Sequence, residues 1–219
     1  VLRERLALVE ERIASAVARA GRARSEVILI AVTKKFPAEV IREAYALGLR
    51  RFGENYVQEF ENKHPLVADL ADAEFHLIGH LQSNKTRPAA ELFQVIQTVD
   101  SEKLARRLDA IGRKIEVMIE VKLSEEQSKA GAAPESLGPL IEAIRTCANL
   151  RLTGLMTMPP WSDDPEQTRP YFRRLAELAR KHALPNLSMG MSHDLEAAIE
   201  EGATHIRIGT ALFGPRRKE

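Results

Sequence analysis

Apolar positions at Leu2, Leu6, Val9, Ile13 and Val17 recur in steps of three and four. That is the spacing of a helix with one buried face, and Gly21 suits its C-terminal end. Past residue 26 the pattern changes. Short apolar runs occur at 27–33 (VILIAVT), 50–54, 75–79, 94–100, 115–121, 151–157, 186–190 and 205–210, and each predicts a strand. Amphipathic stretches between them predict helices at 37–48, 101–112, 134–148, 166–182 and 193–202. The first of these opens on Pro37 and closes on Gly48, and Ser101 with Glu102 begins the second in the manner of a capped helix. Residues 159–167, PPWSDDPEQ, read as a loop.

Strand and helix alternating in this way argue for parallel strands with helices outside. The expected fold is α/β, a (β/α)8 TIM-type barrel with an extra N-terminal helix. Such barrels typically need about 250 residues, so short loops are expected, and residues 1–219 are read as a single domain. The rival is an open doubly wound sheet, which normally carries a glycine-rich nucleotide loop after its first strand. Here that strand ends Thr33-Lys34-Lys35-Phe36-Pro37, with no glycine.

Composition narrows the picture further. A hydrophobic content of 44% allows a substantial core, and 32 basic against 31 acidic residues leave a net charge of +1. Nothing in that balance points to nucleic acid or an acidic partner. There is neither an 18-residue apolar run nor a signal-peptide pattern, so a soluble cytoplasmic protein without membrane contact is expected. Cys147 is the only cysteine, which rules out an internal disulfide or a thiolate metal cluster. The six histidines give no zinc-hydrolase pattern.

Candidate chemistry lies at the strand ends. Parallel barrels collect binding and catalytic groups at the C-terminal face, and side chains alternate in and out along a strand. With Ile28, Ile30 and Val32 facing the lumen, Lys34 continues the inward row and Lys35 falls toward the helices or solvent. Partial burial lowers a lysine's pKa, and a neutral amine is a nucleophile toward aldehydes. Barrels often bind phosphate after strands seven and eight. There the sequence places Gly190, Ser192 as a helix cap, Gly209 and Thr210, with Arg207 two residues earlier on the face of Gly209. Taken singly, these are also what solvated strand ends and ordinary glycine turns look like.

The blocks AVTKKFP (31–37), RFGENYVQE (51–59), FHLIGHLQSNK (75–85), GLMTM (154–158), SMGMSHD (188–194) and RIGTALFG (207–214) resemble the YggS/PROSC family, the pyridoxal phosphate homeostasis proteins. That family is similar in turn to the N-terminal barrel of alanine racemase. The resemblance spans nearly the whole chain. It implies pyridoxal 5′-phosphate as cofactor, held as a Schiff base on Lys34. It also implies phosphate contacts from Ser192, Gly209 and Thr210, and Arg207 facing the pyridine nitrogen. Asn55 is implied near the ring, with Met156 as a candidate for the same wall. Lys35 and His193 depart from the family pattern, and Lys129 corresponds to a loop lysine in the family, read here as a charged loop residue.

A carrier and an enzyme are both compatible with these residues. A guanidinium cannot accept a proton from the ring nitrogen, so Arg207 would blunt carbanion stabilisation. Racemases also need a second acid/base on the far face of the substrate, and the racemases resembled here draw it from a separate domain. Of Tyr45, Tyr56 and Tyr171, only Tyr56 is near the expected pocket. The expected function is therefore PLP homeostasis or carriage without catalysis. Apo-enzymes that use the cofactor are candidate recipients, a monomer is the expected state, and a racemase-like enzyme is the alternative.

Overall fold

The computed structural model describes residues 1–126 and 130–216; Lys129 lies outside the described residues. Helix α1 (Leu2–Arg19) leads into β1 (Ile28–Val32), α2 (Ala38–Ala46), β2 (Arg51–Glu54), α3 (Val57–Lys63), β3 (Glu74–Leu77) and α4 (Thr86–Leu92). Then follow β4 (Val95–Val99), α5 (Glu102–Asp109), β5 (Ile115–Glu120), α6 (Leu137–Arg145) and β6 (Leu150–Met156). The series ends with α7 (Arg169–Lys181), β7 (Asn186–Ser188), α8 (Leu195–Glu200), β8 (His205–Ile208) and α9 (Thr210–Phe213). The eight strands pair in chain order, all parallel, and close into a barrel where Ile28 to Ala31 meet His205 to Ile208. This is the (β/α)8 fold with an added N-terminal helix that the apolar pattern predicts.

Strand alternation divides the apolar residues into two layers. Leu29, Ala31, Phe52, Phe75, Leu77, Ile96, Val117, Ile119, Leu155, Ile206 and Ile208 join the cluster between the sheet and its helices. Ile30, Val32, Met118 and Met156 are buried but stand outside that cluster, in the lumen. Ile28, also expected inward, is only half-buried, at the start of β1. Each helix buries the stripe its sequence offers: Ile13, Ala16 and Val17 on α1, Phe172, Leu175 and Leu178 on α7.

Helices α3, α4 and α9 are additions to the predicted set. Helix α3 follows β2 after two residues, α4 carries Pro88 in its first turn, and α9 is only four residues long. None is long enough to show a periodic apolar stripe. Among the described residues no helix is long and apolar enough to cross a membrane.

Candidate functional site

The turn after β1 is braced from the outside. Thr33 faces away from the lumen, and its hydroxyl donates to Glu54 Oε1 at the end of β2 (2.8 Å). Lys63, at the end of α3 and 8% exposed, reaches into the same place. Its Nζ donates to the Thr33 carbonyl (3.0 Å), Glu54 Oε1 (2.8 Å) and Glu59 Oε1 (2.7 Å). An ammonium has three N–H donors, so the set is filled. Glu59 also accepts the Lys35 backbone N–H (2.6 Å). Lys35 sits at φ +62° with its side chain exposed. The backbone is thus held on both sides of Lys34, whose side chain turns inward as the alternation requires.

Lys34 lines a cavity of about 170 Å³ together with Asn55, Ser192, Arg207, Gly209 and Thr210. Six of the seven residues singled out from sequence therefore meet in one place. Partial burial, followed by the positive charges of Arg216, Arg207 and Lys35, draws the Lys34 amine down to about 8, with Glu59 opposing. Met156 does not line this cavity. It is fully buried in the lumen at the end of β6, and Met158, beyond the strand and clear of the rim, forms the wall instead. The resemblance implies Met156 as a candidate for that wall; it stands on the lumen face of β6 but two residues below the cavity.

Opposite Lys34, two loops form a cradle. Gly190 has φ +99°, and a Cβ there would lie 2.5 Å from Ala198 Cβ, so only glycine fits this turn. Ser192 is not the cap of the next helix. Helix α8 starts at Leu195, and Ser192 Oγ instead accepts the Ala211 N–H (3.1 Å), tying the loop after β7 to α9. The backbone N–H groups of Ser192, Gly209 and Thr210 find no acceptor among the described residues. Helix α1 supports this loop from behind, since Arg12 donates to the Ser192 carbonyl (2.8 Å) and to Glu196 Oε1 (2.5 Å). His193, at the rim, stacks against Trp161 with ring centroids 4.1 Å apart.

Arg207 is a buried cation without a carboxylate partner within ion-pair distance among the described residues. It donates to Ser188 Oγ (2.7 Å), the Thr157 carbonyl (2.9 Å) and Met158 Sδ (3.1 Å). A guanidinium has five N–H donors, and the remaining ones have no acceptor among the described residues. Burial lowers its pKa to about 10. Beneath it a hydrogen-bonded line descends through the lumen. Ser188 Oγ donates to Gln97 Oε1 (2.5 Å), Gln97 Nε2 meets His76 Nδ1 (2.9 Å), and His76 Nε2 meets Glu74 Oε1 (2.7 Å). The carboxylate at the bottom requires the N–H of His76 on Nε2, which leaves Nδ1 to accept from Gln97. Every bond then points the same way, and Ser188 presents a lone pair to Arg207. His76 and His80 stand four apart, yet His76 belongs to this line, and no group of three potential metal ligands exists among the described residues.

Several other features of the mouth carried weak or no signal in the sequence. Arg216, Trp161, Met158, Met191, His193 and Ile78 complete the cavity wall. Arg216 lies outside any periodic element, and Trp161 is 67% exposed in the loop after β6. Of the tyrosines, Tyr45 bonds Asp72, Tyr56 is half-exposed, Tyr171 lies on α7, and none lines the cavity. A larger cavity, about 530 Å³, lies at the N-terminal end of the barrel between Glu74, Lys114, Glu116, Asn149 and Arg151.

The alanine racemase N-terminal domain family matches residues 6–217. The pyridoxal phosphate homeostasis protein of Aquifex aeolicus is 47% identical, with 98% of each chain covered. The protein of the same name from Pseudomonas aeruginosa is 49% identical over 97% of this chain and 95% of its own. PipY of Synechococcus elongatus, solved with PLP bound, superposes with a TM-score of 0.85 at 40% identity, covering 98% of this chain and 100% of that one. Alanine racemase of Clostridium difficile shares the fold, with a TM-score of 0.70 at 12% identity over 95% of this chain and 57% of its own.

Proposed function

The chain belongs to the alanine racemase N-terminal domain family and, within it, to the pyridoxal phosphate homeostasis proteins; on that premise we propose that it binds pyridoxal 5′-phosphate at the barrel mouth, through Lys34, and carries the cofactor. The observation that carries this reading is the pairing of an amine at about 8 with an opposing cradle of unbonded N–H groups on the loops after β7 and β8. When bound, the cofactor supplies an aldehyde and an electron-accepting ring.

The residues present fit that group. Lys34 Nζ, largely protonated at neutral pH but within reach of losing its proton, is the atom to join the aldehyde carbon. The N–H groups of Ser192, Gly209 and Thr210 suit phosphate oxygens, and Arg216 adds charge of the right sign. Arg207 offers N–H donors to an acceptor such as a ring nitrogen and has no lone pair with which to take a proton from it. Asn55 lines the same cavity. Carriage is favoured over turnover because Arg207 does not sustain a protonated ring and no tyrosine reaches the cavity. Apo-enzymes as recipients, a monomeric state, a single domain and a cytoplasmic location belong to the same proposal.

The test is borohydride reduction of protein loaded with pyridoxal phosphate, followed by peptide mass spectrometry. The pyridoxyl group is expected on Lys34. Its appearance on Lys35, or steady racemisation of alanine lost with Lys34→Ala, overturns the reading.

A further inference from the structure

Beside the Lys34 cavity, across a wall shared by Asn55, Ile78 and Met158, lies a second compartment of about 260 Å³. Glu120, the last residue of β5, lines it. Its carboxyl shares the lumen-facing side of the strand with Met118, while Val117, Ile119 and Val121 pack outward. Glu120 is only 8% exposed. Nevertheless, among the described residues, no donor hydrogen-bonds its carboxyl and no cation lies within ion-pair distance of it. Burial and the Asp100 carboxylate, just past the end of β4, push it up to about 7, with Arg207 from β8 opposing.

Two more acceptors are stranded on these walls. Asn55 Oδ1 and Ser124 Oγ are both buried without a partner among the described residues. Lys122 and His80 line the same compartment, and neither makes an ion pair with Glu120. Leaving a buried polar atom unbonded costs about 1–3 kcal/mol. Two such atoms beside a carboxylate that has no cation partner among the described residues call for a ligand that brings donors. Asp100 and Glu120 together repel an anion. A hard metal ion prefers several carboxylates, and no group of three potential ligands is present among the described residues. A primary ammonium brings three N–H donors and one positive charge, which matches the set in both number and sign.

We propose that this compartment binds a small primary amine in its ammonium form, its N–H groups donating to Glu120, Asn55 and Ser124. The mouth of the barrel is then a site for two ligands, an aldehyde at Lys34 and an amine one wall away. The amine site goes beyond the cofactor reading, since it depends only on acceptors this chain already holds.

The test is a carboxyl-detected NMR titration of the full, ligand-free chain with ethylammonium chloride, the glutamates being ¹³C-labelled. A saturable shift of the Glu120 carboxyl is expected, about tenfold weaker in Ser124→Ala, and the Asn55 side-chain amide, which should shift with it, should no longer respond in Glu120→Gln. Affinity should rise with pH as Glu120 ionises near about 7 and fall again as the amine loses its own proton near roughly 10. An absent shift overturns the proposal. So does an equal response to tetramethylammonium, which has no N–H, or a tighter one to magnesium chloride. A response seen only in Lys122→Met overturns it too, because Lys122 would then be the site's own cation. If Glu120→Gln fails to fold, Ser124→Ala and the tetramethylammonium control still decide. Lys34→Ala separates the two readings, since it removes aldehyde capture and leaves the amine shift in place.

Discussion

The two ends of the barrel carry similar kinds of residues and differ in how far those residues are satisfied. At the N-terminal end Glu116 pairs with Arg151 (2.7 Å), Glu74 meets His76 (2.7 Å), and Lys114 donates to the Ala148 carbonyl (2.7 Å). Asn149 donates its backbone N–H and its side-chain amide to Asp109, at the end of α5, as well. At the C-terminal end the amine of Lys34, the spare donors of Arg207 and the carboxyl of Glu120 have no such partners among the described residues. The cavity at the satisfied end is the larger, about 530 Å³ against about 170 and 260 Å³. Volume alone would choose the end opposite to the proposed site. Unmet hydrogen bonding marks the site better, because a fold has little reason to keep it unless a ligand completes it.

The two ends of the barrel differ most at Lys34. Lys34→Ala should abolish the visible-band adduct with pyridoxal phosphate while the circular dichroism spectrum stays native; a retained adduct would move the reactive amine elsewhere. Next is the brace behind it. Lys63→Met leaves Glu54 buried and unpaired, where burial already raises its pKa despite Lys63. The expected loss is about 3–5 kcal/mol in urea unfolding, and a loss under 1 kcal/mol would show the ion cluster to be incidental.

Arg207→Met should split two readouts. The ligand-free thermal midpoint should hold or rise, since a buried unpaired cation is removed. Pyridoxal phosphate affinity should fall about tenfold or more. A drop in both would make Arg207 a structural residue, as those at the other end are. Proton linkage at Lys34 gives a further contrast. Its folded pKa of about 8 lies below the unfolded value of roughly 10.4, so between them the unfolded chain holds more protons. Ligand-free stability should therefore rise with pH across that window, and Lys34→Ala should flatten the rise. Cofactor capture should quicken with pH and reach half its limit near about 8. The smallest effect belongs to the paired end. Glu116→Gln breaks a pair whose arginine is largely exposed, so less than about 1 kcal/mol is expected, with cofactor affinity unchanged.

The eight strands were legible mostly as short apolar runs closed by a turn, although residues 50–54 hold Phe52 as their one large apolar side chain, and the inward row Ile30, Val32, Lys34 followed from alternation. Met156, implied by the resemblance, stops short of the cavity wall, which Met158 beyond the end of β6 forms instead. The role of Ser192 was hidden because a serine before an apolar helix looks like a cap, and only the fold brings Ala211 to its hydroxyl. The Lys63 brace joins α3 to the turn after β1, a contact between segments that no local pattern connects. Glu120 did leave a trace, since it is a carboxylate closing the apolar run IEVMIE. In a buried strand such a residue has to face either a partner or a ligand.

The closure of β1 on β8 has a consequence for how the protein folds. Lys34 follows the first strand, whereas Gly209 and Thr210 follow the last, so only the pairing of those two strands brings them to one cavity. Contacts so far apart along the chain repay their loop-closure entropy only once they form. An incomplete barrel therefore has no mouth to offer, and the cavity exists only when the ring has shut.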